Sequence, residues 1–344
     1  MPADRALKRS LTDVPGVHVG HLTVAEGEVQ TGVTAVLPYP PWVRHRKLFL
    51  GGAAAGGGNE WTGLHVAQDF GTFSSPIVLC NATTVGIAYD ALITLGHRRD
   101  PELPTDDAWP PLVLGLDDGH LNDLRRRRVG HDDVLRAIEQ ASDGPAPCGS
   151  VGVGRGLCAL DAKGGVGDSA RVVRLPGGEH TLGVLVAANG GALAGAPPSV
   201  PAGARAPRAT SGNAPAARSV TPGVVAVIAT DAPLLPTQLR DVAGAALRGL
   251  GVVAPPLGVE PRIALAFSTA NPIDESLKAP FRLYPARHVG EAALGSLLEA
   301  AAEVAGAALR RALTDATAVT GRLGRSAAPL GPDVIARLGS GPAP

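Results

Sequence analysis

Apolar and polar positions along the chain fall into two recurring patterns. Short runs rich in Val, Leu and Ile, bounded by glycine and proline, predict β-strands. Apolar residues spaced three and four apart predict helices. In the first half the predicted strands are residues 34–37, 76–81, 111–116 and 150–153, and the predicted helices are residues 85–95 and 132–141.

The second half of the chain repeats these patterns more regularly. Its predicted strands are residues 170–175, 180–188, 224–230 and 262–268, and its predicted helices are residues 236–250 and 289–313. Pro236 stands at a first helical turn, where proline is tolerated. The strands are too many and too unevenly connected for a simple parallel doubly wound sheet. Their mixture with helices predicts layered α/β packing.

Two segments lack any hydrophobic period. Residues 192–223 consist mainly of Ala, Pro, Gly, Arg and Ser, a composition that predicts a flexible linker. Residues 321–344 are rich in Gly, Pro and Ala and predict a flexible tail. Residues 1–320 are therefore expected to form a single domain, interrupted by the linker. The apolar run 224–235, VVAVIATDAPLL, starts abruptly after the linker and predicts a buried central strand.

Composition and charge argue against several classes of function. Lysine plus arginine equals aspartate plus glutamate, at 31 each, so no net charge attracts nucleic acid or an anionic membrane. No uninterrupted apolar run reaches the about 18 residues of a membrane span. The first residues contain no apolar core of a signal peptide, so a cytoplasmic protein is expected. The His and Cys residues show no metal-binding spacing, and the glycines show no nucleotide-binding spacing. No metal or cofactor is expected.

Several colinear segments within residues 11–272 resemble the DmpA-type aminopeptidases and amidases, a family that includes the β-peptidyl aminopeptidases. They include LTDVPGVHVG (11–20), GNEWTGL (58–64), DGHLND (118–123), LGVLVAANG (182–190) and ATDAPLLPTQL (229–239). The resemblance implies an αββα four-layer sandwich and a precursor that cuts itself before a serine. The two pieces stay together, usually in a homo-oligomer. The implied substrate is a small peptide or amide.

The resemblance also implies candidate site residues. Asn189 matches an asparagine that stabilises the oxyanion of the reaction, and its other interpretation is a turn residue ending a strand. His120 stands where the family carries a tyrosine near the substrate, and it is equally well interpreted as a turn residue. Asn59, in GNEWTGL, is the second candidate for substrate binding.

The nucleophile departs from the family pattern. Counting back from Thr230, the family's Gly-Ser pair falls on Pro222-Gly223, and glycine has no nucleophilic side chain. The nearest hydroxyl groups belong to Thr221 and Ser219, and threonine is a competent N-terminal nucleophile. Two hypotheses stay open: a self-cleaving amide hydrolase, or a non-cleaving homologue that acts as a binding or scaffold protein.

Two acidic positions of the family also differ. The acid expected shortly before DGHLND is Gly115, and the acid expected before AFSTAN is Arg262. Loss of both acids predicts that a substrate ammonium group is not held as it is in relatives.

Overall fold

The chain folds into helices and strands, and this computed structural model describes residues 10–39, 45–56, 61–101, 109–191, 223–254, 261–274 and 283–338. The helices are α1 (Leu64–Phe70), α2 (Val85–Arg99), α3 (His131–Glu139), α4 (Pro236–Val253), α5 (Glu291–Thr314) and α6 (Pro332–Arg337). The first strands are β1 (His18–Glu26), β2 (Val29–Leu37), β3 (Arg46–Ala55), β4 (Thr72–Phe73), β5 (Ile77–Asn81), β6 (Leu112–Leu116) and β7 (Cys158–Ala159). The later strands are β8 (Ala162–Lys163), β9 (Gly165–Leu175), β10 (Gly178–Ala188), β11 (Val224–Thr230), β12 (Arg262–Asp274), β13 (Val319–Thr320) and β14 (Ser326–Ala327).

Two large sheets organise these elements. One has the strand order β1-β2-β5-β6, and the other has the order β4-β3-β12-β11-β10-β9. Each contains one parallel pair, β5–β6 or β11–β12, and the other neighbours are antiparallel. A parallel pair needs a crossover connection, and α2 and α4 lie in the two crossovers.

The layers are held together by two apolar clusters. The first includes side chains of both sheets, such as Val33, Leu185 and Val227. The second joins the six-stranded sheet, through residues such as Ile228, to α4 and α5. Helices α2 and α3 contact the four-stranded sheet. The order of layers is therefore helix, sheet, sheet, helix, which confirms the αββα sandwich.

The sequence of β11 explains its central place. All of its residues are buried, as expected for a strand covered on both faces. Val225 and Val227 join the cluster between the sheets, whereas Val224 and Ala226 join the cluster on the helix side. The strand predicted at residues 224–230 is thus confirmed, and its alternation shows which neighbouring positions face the space between the sheets.

Other predicted elements need correction. The predicted strand at residues 150–153 is wrong, because residues Gly152–Arg155 form a 3-10 turn in which Gly152 has a φ of +51°. The sequence analysis also missed β1 and β3. In β1 polar residues interrupt the apolar pattern, and in β3 glycine and alanine replace the larger side chains that mark a strand.

The end of the described chain is partly packed. Strand β13 pairs with β14, and Ile335 and Leu338 in and after α6 are buried. These residues belong to the segment that the composition predicts as a flexible tail. The predicted linker, 192–223, lies outside the described residues except for Gly223.

Among the described helices, α5 has the length and apolar composition that would allow it to cross a membrane. Core helices share these properties. Helix α5 contacts β9, β10 and α4, and its buried residues belong to the helix-side cluster.

Asp168, on β9, is a fully buried carboxylate that joins distant parts of the chain. It accepts hydrogen bonds from the Leu11 amide at 2.8 Å and from the Ser10 hydroxyl. It also accepts one from Arg311 Nη1 on α5 at 2.6 Å. This one side chain therefore ties the start of the described chain and α5 to the six-stranded sheet.

Replacing Asp168 by Ala is expected to lower the free energy of unfolding by about 3 kcal/mol, because the buried Leu11 amide and Ser10 hydroxyl lose their acceptor and Arg311 keeps only its ion pair with Asp315. The estimate is at the low end of the usual range because the Arg311 side chain is 35% exposed. Urea unfolding followed by circular dichroism would measure the change. Glu303→Gln is the matched control: it removes an ion pair with Arg171 between the same two elements, where both side chains are exposed, and should cost less than about 1 kcal/mol. Equal losses in the two variants would contradict the prediction.

Candidate active site

The end of β10 and the start of β11 bring two candidate positions together. In the antiparallel register Ala188 pairs with Val224, so the next residues outward are Asn189 and Gly223. The alternation along β10 places Leu185 and Ala187 in the cluster between the sheets. Asn189 continues that alternation and therefore faces the other sheet. The register places the predicted oxyanion residue, Asn189, beside Gly223, the last residue of the predicted linker.

The side chain of Asn189 bridges the two sheets. Its Nδ2 donates to the backbone carbonyl of Asp117, just after β6, at 3.1 Å. Its Oδ1 accepts from the backbone amide of Cys158 at 3.3 Å. These partners fix which end of the carboxamide is the oxygen. In a flipped carboxamide, Nδ2 would face the Cys158 N–H and Oδ1 would face the Asp117 carbonyl oxygen, and neither pair can form a hydrogen bond. Asp117 accepts one of the two Nδ2 hydrogens, and the second has no acceptor among the described residues.

The loop that supplies the Asp117 carbonyl is held by a buried acid. Asp118 accepts from Thr31 Oγ1 at 2.6 Å and from Asn122 Nδ2 at 3.0 Å. Asn122 Oδ1 in turn accepts from the Gln30 amide at 3.2 Å. Burial raises the pKa of Asp118 to about 6, although the Thr31 and Asn122 hydrogen bonds oppose the shift. The DGHLND segment thus forms a rigid support against β2.

The other predicted residues are placed less centrally. His120 lies in the same loop, is exposed, and forms no hydrogen bond with another described residue. Partial burial, followed by the charge of Arg325, lowers its pKa, whereas Asp117 raises it. Asn59, Ser219 and Thr221 lie outside the described residues. Of the predicted site residues, only Asn189 and His120 can therefore be compared with the structure.

Gly115 and Arg262 occupy the two positions at which the family carries an acid. A Cβ atom at Gly115 would lie 2.7 Å from Ala82 Cα and 2.7 Å from Val85 Cγ2, so this packing leaves no room for an acidic side chain. Arg262 pairs with Val224 next to Gly223. Its guanidinium Nε and Nη1 are buried and have no hydrogen-bond partner among the described residues. Neither position supplies a carboxylate for a substrate ammonium group.

The segment that supports Asn189 from the other side was not predicted from the sequence. Cys158, in the β7–β8 hairpin, donates its amide to Asn189 and accepts at its carbonyl from the Gly190 amide at 2.7 Å. Gly164 must be a glycine, because a Cβ there would lie 2.2 Å from the Ala188 carbonyl oxygen. The available signal was a lysine, Lys163, inside a glycine-rich apolar stretch.

Within the described ranges, no three His, Cys, Asp or Glu side chains cluster as metal ligands would.

An αββα sandwich with a buried carboxamide beside the head of a central strand fits the class of N-terminal-nucleophile hydrolases. Comparisons with known proteins agree. The model of peptidase family S58 matches residues 9–327. The beta-peptidyl aminopeptidase of Sphingosinicella microcystinivorans is 36% identical over 284 residues, covering 76% of this chain and 70% of that protein. The chain therefore belongs to peptidase family S58, which confirms the resemblance seen in the sequence.

Solved structures extend the likeness over nearly the whole chain. A Burkholderia sp. beta-aminopeptidase superposes with a TM-score of 0.79 at 31% identity, covering 96% of this chain and 92% of that one. The L-aminopeptidase D-Ala-esterase/amidase of Ochrobactrum anthropi, described as a prototype of the serine aminopeptidases with a variant Ntn hydrolase fold, gives 0.80 at 26% identity, covering 95% and 93%. The protein is thus a hydrolytic enzyme of the aminopeptidase and amidase type.

Proposed function

We propose that the protein hydrolyses the amide bond of a small peptide or amide after cutting itself within the linker, with Thr221 as nucleophile and Asn189 as oxyanion donor. The observation that carries this proposal is the register that places Gly223 beside Asn189. A cut shortly before Gly223 would therefore create a new N-terminus only a few residues from the position beside the Asn189 carboxamide. The aminopeptidase names of the relatives support removal of an N-terminal residue.

Covalent reach favours Thr221 over Ser219. Two residues of chain span at most about 7 Å and four span at most about 14 Å. Thr221 is two residues from Gly223, and Ser219 is four. The Thr221 hydroxyl is therefore restricted to the neighbourhood of Asn189, whereas Ser219 has room to lie well away from it.

The proposed reaction has two stages. The Thr221 hydroxyl attacks the carbonyl carbon of the substrate, and the terminal amine of Thr221 takes its proton. The negative charge on the carbonyl oxygen is met by the second Nδ2 hydrogen of Asn189. The amine of the substrate then leaves with the proton, and an acyl ester of Thr221 is left. Water hydrolyses this ester through a second oxyanion at the same place.

Self-cleavage is the step that a denaturing gel tests directly. The purified protein is expected to give two bands, corresponding to residues 1–220 and 221–344, because a cut before Thr221 is needed to free its amine. N-terminal sequencing of the smaller band should read Thr-Pro-Gly. A single band that persists after long incubation would overturn the proposal, and a first residue of Ser219 would transfer the nucleophile to that serine.

A second candidate function is favoured by Gly223 itself. The family's serine falls on this residue, which carries no side chain to attack a carbonyl. A homologue that never cleaves would retain the fold and the space between the sheets and would bind a peptide without hydrolysing it. The single-band outcome, with no hydrolysis of amino-acyl p-nitroanilides, would support this candidate.

We also propose that the protein works in the cytoplasm as a homo-oligomer. The balanced charge of the sequence supports a protein that is not attracted to an anionic membrane. The resemblance to the family, whose two pieces usually stay together in a homo-oligomer, supports the oligomer.

A further inference from the structure

Lys163, on β8, is completely buried, although its side chain is long and cationic. Its Nζ donates to three backbone carbonyls: Gly154 at 2.7 Å, Leu157 at 2.8 Å and Gly164 at 2.8 Å. A lysine ammonium has three hydrogens, so each one has an acceptor. A buried charge is tolerated only with such compensation. The segment 154–164 is therefore folded around this ammonium group.

One of these carbonyls leads directly to the candidate oxyanion donor. The Leu157 carbonyl and the Cys158 amide belong to the same peptide group, which is planar. Lys163 binds the oxygen of this plane, and the Gly164 amide donates to the same oxygen at 3.0 Å. The N–H on the opposite side of the plane donates to Asn189 Oδ1. Rotation of this peptide group would break both interactions together.

A second connection restrains the backbone around Asn189. The Gly190 amide donates to the Cys158 carbonyl at 2.7 Å, and the Leu160 amide donates to the Gly190 carbonyl at 2.9 Å. The hairpin held by Lys163 thus forms hydrogen bonds with both the side chain of Asn189 and the backbone of Gly190. Nothing else among the described residues binds Asn189 from this side.

We infer that Lys163 is a positioning residue for the oxyanion donor: its ammonium group fixes the Leu157–Cys158 peptide plane and thereby the carboxamide of Asn189. The kinetic consequence rests on the proposed function, whereas the structural one does not. Displacement of a donor by about 1 Å is enough to lower a rate by about 10²-fold.

Protonation controls this arrangement. Burial lowers the pKa of Lys163 to about 7, with Cys158 raising it and Arg155 lowering it by their charges. The carboxylates of Asp117 and Asp118 act on the neighbouring Cys158. Below pH 7 the ammonium has three hydrogens for three carbonyls. Above pH 7 the neutral amine has only two hydrogens, so one of the three carbonyls loses its donor. The Leu157–Cys158 peptide group, and with it the Asn189 carboxamide, is therefore held less firmly as the pH rises.

The test follows the side-chain amide of Asn189 by NMR in the full-length protein labelled with 15N. In the wild type its resonances should shift between pH 5.5 and 8.5 with a midpoint near 7. Lys163→Met should abolish that transition and speed amide exchange at Cys158 and Gly190 at least tenfold, with Val184 and Val186 unchanged. The control Lys47→Met removes a lysine from β3, which is separated from β10 and Asn189 by β12 and β11. It should leave both observations as in the wild type. Asp118→Asn should still show the transition, which would exclude titration of Asp118 as its cause.

Kinetics provide a second measurement. Lys163→Met should lower kcat about 10- to 100-fold with little change in KM. The ratio of wild-type kcat to Lys163→Met kcat should fall as the pH rises through 7, because the Thr221 amine, which acts as base only when neutral, titrates in both proteins. A folded Lys163→Met protein with wild-type Asn189 resonances and exchange would overturn the inference. If the variant does not fold, the wild-type titration decides, and invariant Asn189 resonances from pH 5.5 to 8.5 would overturn it. Wild-type protein that shows the transition but hydrolyses no amide would refute the proposed function and leave the positioning role standing.

Discussion

Asn189→Ala is expected to lower kcat about 10²- to 10³-fold, the usual loss on removing one oxyanion donor. The reason lies in the two bonds that orient the carboxamide, from the Cys158 amide and to the Asp117 carbonyl, which leave one Nδ2 hydrogen for the reaction. That hydrogen meets a charge that exists only after attack, so KM should change much less than kcat. Initial rates on an amino-acyl p-nitroanilide give both constants.

Two further variants separate loss of the donor from loss of structure. Asn189→Asp retains the shape and the acceptor for Cys158 but has no hydrogen to donate, so its kcat should fall as far as that of the alanine variant. Asn271→Ala is the matched control: Asn271 is equally buried, on β12, and binds the backbone of Arg287 through both ends of its carboxamide. Its kcat should stay near the wild-type value. A fully active Asn189→Asp enzyme would disprove the oxyanion role.

Thr221→Ala is expected to abolish both self-cleavage and amide hydrolysis. Without the hydroxyl, neither the linker peptide nor a substrate carbonyl has a nucleophile at this position. The gel should show one band at the mass of the full chain, and p-nitroanilide release should fall to the background rate. Incubation at several times would distinguish slow cleavage from none.

Ser219→Ala is the control for Thr221, because it removes the next hydroxyl along the same segment. It should cleave and hydrolyse as the wild type does. Normal activity in Thr221→Ala would remove that residue from the mechanism. Gly223→Ser adds a hydroxyl at the position beside Asn189, where the family carries its serine. If the wild type is inert and Gly223→Ser cleaves itself, the non-cleaving candidate is correct and the rest of the site is intact.

Much of the fold could be predicted because its signals are local. The apolar run of β11 and the helical spacing of α2 and α4 depend only on neighbouring residues, and the structure confirms each with small changes at the ends. The predicted strand at residues 150–153 failed for a non-local reason. Val153 donates its amide to Thr34 Oγ1, and a Cβ at Gly154 would lie 2.6 Å from the Gly149 carbonyl oxygen, so a compact turn is packed there.

The candidate site was only partly visible in the sequence. Asn189 and His120 were identified through family segments, but nothing local indicated that Cys158 would orient Asn189 through its backbone. Backbone donors and acceptors are common to all residues, so their role depends on where the chain brings them. Lys163 was overlooked for the same reason, since its partners are carbonyl groups and its importance follows from burial.

The amino-acid sequence alone identifies the family, predicts the buried strand β11 and shows that Gly223 carries no nucleophilic side chain. These are properties of residue type and spacing along the chain. The packing of the fold brings the Asn189 carboxamide to the Asp117 carbonyl and the Cys158 amide, and it buries Lys163 against the carbonyl of the Leu157–Cys158 peptide group. Asn189 is far from Asp117 and Cys158 in sequence, so these contacts exist only once both sheets have packed together.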